Sequence, residues 1–191
     1  MESKKVSNIV KMIWWAVFII ITAWSAYMLF DGRGTKAFMG LLTIVSLLAI
    51  GIWQRKSRYA FPDFFAGMTY VFIFIAVGLG TFGGFYSIPH FDDFLHLTSG
   101  IWIGYGAWII MELLVGKAII NQLPKLFIGL YIIIFALAIA GAWELLEFAG
   151  DKLFHFTAQG RGHDDTMFDM IDGLIGGIIA TAFIIRSHSK K

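Results

Sequence analysis

LFIGLYIIIFALAIAGAWELLEFA, residues 126–149, is an apolar run interrupted by two charges, Glu144 and Glu147. As a helix rising about 1.5 Å per residue, it is long enough to cross the roughly 30 Å of a bilayer's hydrocarbon core. Each glutamate costs about 2.5–3.5 kcal/mol if it lies at the centre of such a helix. Charges kept inside a membrane segment generally face a packed interior or a cavity and serve a purpose. This stretch sets two expectations: a membrane-spanning helix, and a site on one of its faces.

The same reading applied outward finds five more apolar segments, giving roughly residues 12–30, 37–53, 64–85, 94–115, 126–149 and 166–185. The 191 residues are 58% hydrophobic and 15% charged, whereas soluble domains average about 25% charged. The expected fold is all-α, a polytopic membrane protein forming one six-transmembrane-helix bundle over residues 1–191. Pro62 and Pro124 stand at helix starts, where a missing N–H costs little. The lysine-bearing stretch before residue 12 resembles the start of a signal peptide. The run that follows is too long for an h-region and has no A-x-A site, so it reads as an uncleaved first helix. A net charge of +2 gives no footprint for nucleic acid. With no cysteine, disulfides, thiol nucleophiles and Cys-ligated metal are excluded. His, Asp and Glu are left as ligands.

Orientation follows from Lys and Arg. Placing the N-terminus inside puts Lys4, Lys5, Lys11, Arg55, Lys56, Arg58, Lys117, Lys125, Arg186, Lys190 and Lys191 on the cytoplasmic side. Arg33, Lys36, Lys152 and Arg161 fall outside. Both termini are therefore expected to be cytoplasmic. The acids took no part in this count, yet three i, i+3 pairs land together near the outer face. They are Asp93/His96 at the start of the fourth span, Glu144/Glu147 at the end of the fifth and Asp169/Asp172 at the start of the sixth.

Residues at i and i+3 share a helix face. Helix bundles that hold metal ions in their cores use inward-facing carboxylates and carboxylate-x-x-His pairs. Asp93, His96, Glu144, Glu147, Asp169 and Asp172 are therefore the expected metal ligands. Either Asp92 or Asp93 satisfies the pairing with His96. An oxygen-rich set with one imidazole suits a divalent ion: Mg or Ca by its oxygens, Mn, Fe or Zn by its histidine. His96 and Glu144 are the candidate catalytic bases. Capping and the helix dipole explain acids at helix N-termini, which accounts for Asp92, Asp93 and Asp165 without any metal. It does not account for Glu144 and Glu147 at a C-terminal end, nor for Asp172 well inside its helix. His163, with Arg161 in the Gly-rich outer loop, is the outside candidate for a further ligand. Gly100/Gly104 and Gly173/Gly177 lie beneath the acids at small-xxx-small spacing, and Gly80/Gly84 repeat that spacing in the third span. Such stripes let helix backbones approach closely.

Phe91-Asp92-Asp93-Phe94-Leu95-His96, Trp143-Glu144-Leu145-Leu146-Glu147-Phe148 and Asp165-Thr166-Met167-Phe168-Asp169-Met170-Ile171-Asp172-Gly173, followed by Gly176-Gly177, resemble the YjdF-like family of uncharacterised bacterial inner-membrane proteins. A weaker likeness to the VanZ-like family covers the same late segments. Asp172-Gly173 departs from that pattern, which tends to carry an amide residue there. The resemblance implies a multi-pass protein of the bacterial cytoplasmic membrane and implies no reaction. From the residues, the expected function is a metal-dependent hydrolase or transferase acting on a lipid or lipid-linked headgroup at the outer leaflet, with a homodimer conceivable. The alternatives are a cation- or proton-coupled transporter and a non-catalytic structural or accessory protein.

Overall fold

A computed structural model describes residues 6–156, 158–159 and 163–188, apart from the side chain of His163. Among them every element is helical. α1 is Asn8–Phe30, α2 Gly34–Lys56, α3 Asp63–Ile73, α4 Phe91–Val115, α5 Lys117–Ile120, α6 Lys125–Phe154 and α7 His163–His188. α3 continues through π-helical turns over Phe74–Phe82, and a 3₁₀ turn occupies Phe85–Ser87. Six helices, counting α3 with its π extension as one, are long and apolar enough to cross a membrane. The chain divides into two compact units, Met1–Ile88 and Pro89–Lys191.

The first unit is joined by aromatic packing and by side chains that bond to backbone. Trp14 is buried on α1 and donates its indole N–H to the Leu47 carbonyl of α2 at 2.9 Å. Gly51 makes room for that ring, since a Cβ there would come within 2.9 Å of the indole nitrogen. At the start of α1, the Ser7 hydroxyl accepts from Val10 N–H while its own N–H donates to Asp63 Oδ2 at 3.0 Å. One residue thus caps α1 and ties it to the start of α3. Gln54 closes the α2–α3 connection by giving an N–H to the Phe61 carbonyl at 2.7 Å and accepting from its N–H at 3.1 Å.

The third span departs from expectation at its end. Its last turns bond i to i−5, as in Gly83 N–H to Gly78 carbonyl at 2.8 Å, and the helix stops at Phe82 rather than 85. Lys36 reaches across from α2 to donate to the Thr81 carbonyl at 2.7 Å. Widened turns break an i, i+4 stripe, so Gly80 and Gly84 do not form one packed helix face. A Cβ on Gly80 would strike the Tyr86 ring, and Gly84 sits in the turn at φ +77°.

The second unit is α4, α6 and α7, held by small residues. A Cβ on Gly100 would fall inside the shell of the Gly173 carbonyl, and one on Gly176 inside that of the Leu97 carbonyl. α4 and α7 therefore meet backbone against backbone, running parallel, because Gly104 lies further along against Ala180 and Gly177. α6 crosses in the opposite sense: Gly173 faces Ala140, Gly177 faces Ala136 and Gly129 faces Thr181. The Gly173/Gly177 stripe thus lies between α6 and α4, and its neighbour Gly176 packs on α4. Beyond the glycines lies an aliphatic core of Ala107, Met111, Ile120, Ile128, Ile132, Ala180 and Ile184. α6 runs to Phe154, five residues past the expected end at 149, and α2 covers 34–56 rather than 37–53.

Candidate metal centre

The glycine contacts decide which side chains can meet. His96 stands one turn before Gly100 on α4, and Asp169 one turn before Gly173 on α7. Because these helices run parallel at near backbone contact, residues one turn back on each face one another. Glu144 lies one turn past Ala140 on antiparallel α6, at the same level.

His96, Glu144 and Asp169 are 8%, 4% and 4% exposed. His96 Nε2 is 3.6 Å from Asp92 Oδ1 and 3.8 Å from Asp169 Oδ1. Both distances exceed those of a good hydrogen bond. One ligand atom from each of Asp92, His96 and Asp169 lies within 4.8 Å of the others. Ligands held about 2.1 Å from one ion are separated from each other by about 3.0–4.2 Å, cis or trans. The histidine-to-acid gaps therefore fall in the range that ligands of one cation occupy.

Glu144 completes the picture from α6. Both of its carboxylate oxygens are buried and hydrogen-bonded to nothing among the described residues. Leaving such a group unpaired costs several kcal/mol. Its electrostatic neighbours are His96, Asp92 and Asp165, with the Thr166 hydroxyl near it but short of hydrogen-bond geometry. A buried carboxylate beside two further acids and an imidazole is a set of groups that could hold a cation.

The other sequence-selected residues fall around this centre. Asp93 turns away from His96, and its Oδ2 pairs with His90 Nδ1 at 2.6 Å on the exposed side of α4. Glu147 Oε1 accepts the Trp143 indole N–H at 2.8 Å. It stays within electrostatic range of Glu144, Asp92 and Asp169. Asp172 lies near Asp93 and His96, outside the close triplet. Asp165 is an electrostatic neighbour of Asp92, Glu144 and Asp169. Arg161 and the His163 side chain lie outside the described residues.

Asp92 is the member of the close triplet that the expected ligand set left out, having been named only as an alternative to Asp93 and explained as a helix-start acid. His90 is the N-cap of α4 and makes no side-chain cap bond. The usable signal was spacing: Asp92 and His96 are i, i+4, closer in azimuth than the i, i+3 of Asp93 and His96. His90 stands at i, i+3 to Asp93 and claims it.

No curated protein and no solved structure matches the chain. A family model does, over residues 10–190, and it is described as a predicted membrane protein family. Its span takes in all six apolar helices and every residue of the centre, so the chain belongs to the predicted membrane protein family DUF2238.

Proposed function

We propose that this chain is a metal-dependent hydrolase or transferase of the bacterial inner membrane, acting on a lipid or lipid-linked headgroup at the outer leaflet. The family membership is read as the YjdF-like one, with both termini cytoplasmic by the Lys and Arg bias. The observation that carries the reading is Glu144, a buried carboxylate with both oxygens unpaired beside Asp92, His96 and Asp169.

Asp92, His96 and Asp169 hold a divalent ion. A cation there supplies a Lewis acid toward a phosphoryl or acyl oxygen. Glu144 takes the proton from the attacking water as general base. Glu147, Asp165 and Asp172 set the negative field that draws the cation in. The chemistry belongs at one end of the second unit rather than along a path through it. Past Gly100, Gly173 and Gly176 the core is aliphatic, and Thr181 is its one buried polar residue among those described. Its hydroxyl is already bonded to the Gly177 carbonyl at 2.8 Å. That dry core favours a site open to one membrane face over a transporter.

The test is a turnover screen with the purified chain in lipid nanodiscs, supplied with Mn²⁺, Mg²⁺ or Zn²⁺ and phosphoester or acylester lipids. Release of headgroup or acyl chain by the wild type, lost in Glu144→Gln with metal still bound, supports the reading. Equal release by wild type, Glu144→Gln and Asp169→Asn would overturn it.

A further inference from the structure

The C-terminal end of α6 is tied to the start of α7 by a run of hydrogen bonds that ends beside the metal centre. α6 stops where His155 enters the left-handed region at φ +55°. The chain then folds back, and the Phe156 ring lies so close to Gly150 that a Cβ there would strike it. Asp151, one turn inside the helix, pins the returning chain. Its Oδ1 accepts from Ala158 N–H at 2.9 Å and its Oδ2 from Gln159 N–H at 3.2 Å. Two bonds from successive backbone N–H groups to one carboxylate hold Gln159 in place.

Gln159 in turn reaches α7, where its side-chain N–H donates to Thr166 Oγ1 at 3.4 Å. A hydroxyl offers one proton and two lone pairs. The amide takes up a lone pair, so the Thr166 proton is still to be given. Helix register says where it can go. Gly173 of α7 faces Ala140 of antiparallel α6. Thr166, Asp169 and Gly173 form one stripe at i, i+3 and i+7, and Glu144 lies one turn past Ala140. Thr166 therefore stands over the same stretch of α6 as Glu144, whose two oxygens are buried and unbonded. Its hydroxyl is a neighbour of that carboxylate.

We propose that Thr166 supplies the hydrogen bond that Glu144 lacks, with Gln159 and Asp151 holding the hydroxyl for it. One carboxylate oxygen is then fixed, and the other is left for the water it deprotonates. Orientation of a base is worth as much to a reaction as its strength. The proposal rests on the reading of Glu144 as general base. Thr166 and Gln159 are positioning residues, acting through Glu144.

The test compares full chains in nanodiscs by infrared spectroscopy, in chelator and without substrate. For each variant, subtracting the spectrum of its own Glu144→Gln version isolates the Glu144 carboxyl bands. The expected result is a shift of those bands in Thr166→Val, which keeps the shape, and their return to the wild-type position in Thr166→Ser. Gln159→Glu puts an acceptor where the amide donated, takes the hydroxyl proton, and should give the same shift. Added to Thr166→Val it should change nothing further. With Mn²⁺ and substrate, Thr166→Val should lower kcat about tenfold and leave KM unchanged. Bands unmoved in Thr166→Val, or moved equally in Thr166→Ser, would overturn the contact even in an active protein. A further shift from Gln159→Glu on top of Thr166→Val would mean that the new charge acts directly, and would overturn the part given to Gln159. Bands that move as expected in a protein without turnover would support the contact and overturn the hydrolase or transferase reading instead.

Discussion

The two units solve the same problem, holding three long helices together, with different materials. The first uses large side chains and committed polar groups: Trp14 on Leu47, Gln54 on Phe61, Lys36 on Thr81. Its helix contacts are mostly side chain on side chain or side chain on backbone. The second uses absence. Gly100, Gly173 and Gly176 bring α4 and α7 to backbone contact, and above that seam stand acids and a histidine with too few partners. In lipid, helices gain little from hiding apolar surface, so close van der Waals packing and polar contacts drive association. The first unit draws on both. The second draws on close packing and leaves the buried Glu144 carboxylate without a hydrogen-bond partner among the described residues. Where polar residues are already bonded to backbone they are structural; where they converge unbonded they mark a site.

The contrast breaks most sharply at the seam. Gly176→Val should destabilise the protein by about 3 kcal/mol or more, since the methyls would displace backbone rather than a side chain. Thermal melting of the purified chain checks it, with Gly34→Ala as control; a Cβ at Gly34 meets nothing within 4 Å, so a change within about 0.5 kcal/mol is expected.

Next in size is Glu144→Gln, which should act with opposite sign in two conditions. Without metal it removes an uncompensated buried charge and should stabilise by about 1–3 kcal/mol. With metal bound it removes a charge that the ion compensates and should destabilise by about 1 kcal/mol, the ion being retained. Melting curves with and without chelator decide this, and destabilisation in both conditions would mean that Glu144 is a packing residue.

Trp14→Phe should cost about 1 kcal/mol through the lost bond to the Leu47 carbonyl, with metal content untouched. An altered metal content, read by elemental analysis, would show that the two units are not independent in this respect. The smallest effect is expected at the outer pair. Asp93→Asn and His90→Ala should leave metal affinity within about twofold, because an exposed pair of this kind contributes little. Isothermal titration with Mn²⁺ measures it.

Much of the fold was legible because hydrocarbon imposes a simple demand on composition. The six spans follow from apolar length alone, and Pro62 and Pro124 stand as the N-caps of α3 and α6. The π turns of Phe74–Phe82 were not legible, since i to i−5 bonding leaves no mark in hydropathy. Gly80 and Gly84 were misread as a packing stripe for that reason. At the centre, Glu144, His96 and Asp169 were legible because charges buried in a membrane segment need an explanation. Asp92 and Asp93 were harder, as adjacent acids at a helix start differ only by 100° of azimuth, and His90 decides which is free. The long α6, reaching Phe154, shows the reverse difficulty: Asp151, Lys152 and the residues around them read as loop, yet the helix continues through them.

The central claim is that α4, α6 and α7 converge on a divalent cation. The direct measurement is metal content per chain, by elemental mass spectrometry after Mn²⁺ loading and exhaustive washing, for wild type, His96→Ala and Asp169→Asn. The account predicts about one equivalent retained by the wild type, and at least a hundredfold weaker binding in each variant from loss of a ligand at a closely held ion. No retained metal in the wild type, or full retention in both variants, would contradict it.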